Sequence, residues 1–81
     1  MVKELVIDIL EQYPYARLEV RVDEFYPIYV FTFRTDKITV RILAKPKPHY
    51  NYHVPGASYS FVQMVYNGDW IPESISVERR N

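Results

Sequence analysis

The stretch IYVFTFRTDKITVRILA, residues 28–44, decides the fold. Its β-branched and aromatic runs predict two strands, about 28–34 and 38–45, and the short Thr35-Asp36-Lys37 link joins them as a hairpin. A slip of one residue turns every side chain to the opposite face, so the loop length matters. With a two-residue loop, Tyr29, Phe31 and Phe33 share a face with Ile38, Val40 and Ile42, and Thr32, Arg34, Thr39 and Arg41 stand outside. With a three-residue loop, Ile28, Val30 and Thr32 join that core and the aromatic rings stand beside Arg41 on the open face, as a base-stacking platform. The first register buries more apolar surface, and each buried Phe contributes roughly 1.5 to 3 kcal/mol. It is therefore the expected one.

Upstream, Leu18, Val20 and Val22 alternate with Arg17, Glu19, Arg21 and Asp23, which predicts a half-buried antiparallel strand over 16–23. Before it, Val2, Leu5, Val6, Ile9, Leu10 and Tyr13 recur every three or four residues and predict an amphipathic helix over 2–13, ended by Pro14, with Glu4, Asp8 and Glu11 outward. Downstream, Pro46, Pro48 and Pro55 predict an extended loop over 45–56. Ala57 to Tyr66 fits a strand (58–66) or two turns of helix; its β-branched and aromatic content favours the strand. Asn67-Gly68 then reads as a hairpin turn into a last strand over 70–78, with Pro72 keeping it at an edge. The expectation is a single two-layer α+β domain: one N-terminal helix packed on a four- to five-stranded antiparallel sheet.

A chain of 81 residues with no cysteine forms its core without disulfides and has no thiolate nucleophile or metal ligand. No apolar run reaches the ~20 residues that span a bilayer, and the first residues lack a signal-peptide pattern, so a cytoplasmic, membrane-free protein is expected. Few Gln, Met and Asn residues suit a heat-adapted source, whereas the labile Asn67-Gly68 pair counts against it.

The formal net charge of zero hides a segregation. From Lys37 to Gly68 there is no Asp or Glu, while Lys37, Arg41, Lys45, Lys47, His49 and His53 are interleaved with Tyr50 and Tyr52. Once alternate strand residues are assigned to the core, the expected contact surface is Arg41, Lys45, Lys47, His49, Tyr50, Tyr52 and His53. Long cations beside rigid amphipathic rings suit a protein interface and also stack on unpaired bases.

Catalysis has no visible machinery. His49 and His53 in an extended chain lie roughly 13 Å apart, too far to share a metal ion. Glu4, Asp8 and Glu11 read as the wetted side of a helix, and two glycines build no phosphate cradle. No cofactor or metal is expected.

Tyr50 and Pro55 stand at the spacing of a Tyr-Pro-x-x-x-Pro signature, and Trp70-Ile71-Pro72 matches a later Trp-x-Pro. With the order helix, three-strand meander, loop and strand, this resembles ubiquitin-conjugating enzymes and their RWD relatives. Asn51 replaces the first signature proline and no cysteine is present to carry a thioester, so the resemblance implies a non-catalytic variant.

The leading expectation is a small non-enzymatic accessory protein, of a kind that suits a virus or mobile element, which binds an acidic protein surface through the basic, tyrosine-rich loop. The alternatives are a single-stranded nucleic-acid-binding domain and a histidine-dependent hydrolase. A free edge or face of the sheet also invites a homodimer.

Overall fold

The computed structural model describes residues 1–23, 28–48 and 53–80. The elements follow the order α1 (Val2–Glu11), β1 (Arg17–Val22), β2 (Tyr29–Arg34), β3 (Ile38–Pro46), α2 (Ser58–Tyr66) and β4 (Trp70–Arg79). The strands form one antiparallel sheet in the order β1-β2-β3-β4. The two-layer α+β architecture is the expected one, with a second helix that the sequence reading assigned to a strand.

The 28–44 hairpin takes the two-residue register. Phe33 pairs with Val40 and Phe31 with Ile42, and the Thr35 N–H donates to the Ile38 carbonyl at 2.9 Å, leaving Asp36 and Lys37 as the loop. The Thr35 hydroxyl accepts from the Lys37 and Ile38 amides, which fixes the turn locally. Phe31 and Phe33 are fully buried, so the base-stacking arrangement on the open face is excluded.

α1 buries Val6, Ile7 and Leu10, with Val2, Ile9 and Tyr13 packed partly against the core. Its stripe is rotated from the expected one: Leu5 faces solvent and Ile7 faces the core. The helix closes at Glu11, and the Ala16 amide bonds the Tyr13 carbonyl (3.1 Å) across a turn whose second residue is Pro14.

The expected 58–66 strand is α2. Ser58, Phe61, Val62 and Val65 are its buried residues, an i, i+3, i+4, i+7 set that lines one helix face. The Ser60 hydroxyl returns to the Ala57 amide (3.1 Å), the half of a capping box that Ala57 cannot reciprocate. The Asn67-Gly68 pair is the helix's end and not a hairpin: the Gly68 amide bonds the Val65 carbonyl and the Asp69 amide bonds the Met64 carbonyl, a Schellman closure with Gly68 at φ +80°.

The layers meet at a cluster of aromatic rings. Phe61 of α2 lies 4.6 Å from Phe31 and 5.5 Å from Phe33, and Trp70 meets Phe31 and Tyr29 edge-on at 5.0 and 4.9 Å. The buried Ser58 hydroxyl donates to the Tyr13 carbonyl at 2.7 Å and ties α2 to the end of α1. In β4 the register shifts opposite Leu43/Ala44, so Glu73 falls between the partners of those two residues.

Candidate binding face

Strand alternation, with Phe31, Phe33, Val40 and Ile42 turned to the helices, sends the intervening residues to the other face of the sheet. That face presents Arg17, Glu19 and Arg21 from β1, Val30, Thr32 and Arg34 from β2, Thr39, Arg41, Leu43 and Lys45 from β3, and Ser74, Ser76 and Glu78 from β4. The Arg80 guanidinium also reaches it, donating to the Thr39 hydroxyl at 3.0 Å. Neither helix covers this side. A shallow concavity of about 370 Å³ runs over it, lined chiefly by Glu19, Arg21, Thr32, Arg34 and Arg41.

Arginines outnumber carboxylates here. Arg34 meets Glu19 at 3.5 Å and Arg41 meets Glu78 at 3.5 Å, all four side chains about half exposed or more. Arg17 and Arg34 are directly opposed across β1 and β2, an arrangement that like charges disfavour. Thr32 and Thr39 are buried although they belong to the open face. The acids Glu4, Asp8 and Glu11 lie on α1, on the other layer. The sheet in turn carries its own carboxylates, Glu19, Glu73 and Glu78, so the charge segregation along the chain is partly undone by strand pairing.

Four of the seven expected contact residues, Arg41, Lys45, Lys47 and His53, are among the described residues. Arg41 and Lys45 stand on the open face, and each is met by an acid that β4 delivers from beyond the acid-free stretch. Lys45 reaches Glu73 at 3.2 Å and Lys47 reaches Asp69 at 3.0 Å. His53 is exposed, and its carbonyl accepts the Trp70 indole N–H at 3.3 Å. His49, Tyr50 and Tyr52 lie outside the described residues. The sequence reading missed Arg17, Arg21, Arg34 and Arg80 as part of the same surface. Alternation marked the first three as outward, but only the full β1-β2-β3-β4 register puts them beside Arg41.

Exposed Tyr15 borders this face, lining a concavity of about 430 Å³ with Arg17 and Arg34. Among the described residues no group of three or more His, Asp or Glu side chains is placed to hold a metal ion. No described helix is long and apolar enough to cross a membrane. No family model, curated protein or solved structure matches the chain.

Proposed function

We propose that the chain is a small non-enzymatic interaction protein that docks the open, arginine-lined face of its sheet onto an acidic protein surface. The observation that carries this reading is the face itself: Arg17, Arg21, Arg34, Arg41 and Arg80 share it with Glu19 and Glu78. Its docking centre is the sheet, where those five arginines gather with Lys45 beside them. Exposed ion pairs contribute only about 0 to 1 kcal/mol each, so an incoming carboxylate competes for these guanidinium groups at little cost. Planar guanidinium groups are suited to bidentate capture of carboxylates.

The test is a titration followed by the arginine side-chain NMR signals, with a glutamate-rich peptide in one arm and a single-stranded oligonucleotide in the other. The peptide is expected to move the Arg21, Arg34 and Arg41 signals and to bind more weakly to R34A and R41A variants. Peptide binding that both variants leave intact, or no binding at low salt, would overturn the proposal. Oligonucleotide binding whose log affinity falls by roughly 0.7 per phosphate contact with log salt would replace it with the nucleic-acid reading.

A further inference from the structure

β1 has β2 on one side and, among the described residues, no strand on the other. The Asp23 amide donates to the Ile28 carbonyl at 3.0 Å, one step beyond the β1–β2 register. Main-chain bonds alternate along an antiparallel pair. Arg17, Glu19 and Arg21 therefore turn their N–H and C=O groups to β2, and Leu18, Val20 and Val22 turn theirs to the open edge.

The apolar layer also runs out over this strand. Leu18 and Val20 are half-buried and Val22 is 51% exposed, whereas their β2 neighbours Phe33 and Phe31 are fully buried. The opposite edge is guarded: β4 contains Pro72, which has no N–H to donate, and the bulge at Glu73. β1 contains neither proline nor bulge.

The charge order of β1 is self-complementary. A two-fold axis through Val20 sets Glu19 against Arg21 of a second copy, Arg21 against its Glu19, and Leu18 against its Val22. Moving the axis one residue either way opposes Glu19 to Glu19 or Arg21 to Arg21, which is repulsive. Glu19 already touches Arg34 in its own chain, and its second oxygen can accept from the facing Arg21.

We infer that the chain forms a two-fold dimer by antiparallel β1–β1 pairing about Val20. The outward groups of Leu18, Val20 and Val22 then make about six main-chain hydrogen bonds with their copies. Two four-stranded sheets become one of eight strands, and Leu18, Val20 and Val22 of the two copies cover one another. The two arginine-lined faces become continuous across the axis, yet the dimer stands whether or not that face takes an acidic partner.

Charge exchange tests the pairing by sedimentation velocity across the micromolar range, with circular dichroism confirming that each variant is folded. The wild type is expected to dimerise. E19R and R21E each set like charges against each other twice, and each weakens self-association by about tenfold or more. Mixing those two variants restores a dimer, because the two arginines at positions 19 and 21 of the E19R copy then face the two glutamates at positions 21 and 19 of the R21E copy. The double variant E19R/R21E dimerises alone. A wild type that stays monomeric, single variants that dimerise as well as it does, or a mixture that does not associate would each overturn the inference.

Discussion

Tyr66 spans the two helices, donating its phenol proton to Glu11 Oε1 at 3.1 Å. That bond raises its pKa above the ordinary 10.0; partial desolvation and the charges of Glu11 and Asp8 push the same way. The folded state therefore holds a proton at a pH where the unfolded chain has released it. The contribution is complete below about pH 10 and is lost as pH rises through the raised value, so stability falls with alkalinity there. Following the Tyr66 ring carbons by NMR, E11A is expected to bring its titration back toward the ordinary range, and Tyr66→Phe to flatten stability above pH 10. Identical Tyr66 titrations in wild type and E11A would show that the contact does not govern the phenol. The Glu11–Tyr66 pairing lay beyond the sequence because it joins residues 55 apart and exists only if residue 66 belongs to a helix.

At the scale of elements, the hairpin was legible and α2 was not. For residues 28–44, the local pattern and the burial of two phenylalanines favour the same register, so reading either one gives the structure. For 58–66 they conflict: tyrosine, phenylalanine and valine prefer strands, while Ser58, Phe61, Val62 and Val65 fall on one helical face. Tertiary burial overrides the weak intrinsic preference. Asn67-Gly68 compounded the misreading, since a positive φ serves a hairpin and a helix end equally well. Gly68 sits at φ +80° with nothing within 4 Å of the place a Cβ would occupy, so an alanine there meets backbone strain and no clash. Gly68→Ala should cost about 1 to 2 kcal/mol in urea denaturation. A loss near zero would mean that α2 ends differently in solution. The candidate face was half legible for a related reason: alternation in β1 to β3 marked Arg17, Arg21, Arg34 and Arg41 as outward. The carboxylates that answer Arg41, Lys45 and Lys47 arrive from residues 69 to 78, across a pairing that no local pattern encodes.

At the scale of the molecule, one sheet face faces solvent, so the cohesion of the two layers rests on what lies between the other face and the helices. Phe61 is the link: fully buried on α2, it contacts Phe31 and Phe33 of β2, and Phe31 in turn meets Trp70 at the start of β4. A domain of this length has a total stability of roughly 4 to 12 kcal/mol. Truncating a buried phenylalanine costs about 3 to 5 kcal/mol. Phe61→Ala should therefore remove a large share of the stability while leaving the single tryptophan in place as a probe. Because Trp70 borders both layers, its fluorescence and the far-ultraviolet dichroism should change together through the urea transition, in wild type and variant alike, at fixed protein concentration. Two separated transitions, or a loss below about 1 kcal/mol, would mean that α2 is held by its ties to α1 through Ser58 and Tyr66 and not by the sheet. Coincident transitions with the larger loss would place the cooperative unit across both layers, with the arginine-lined face as the rigid back of a single folding core.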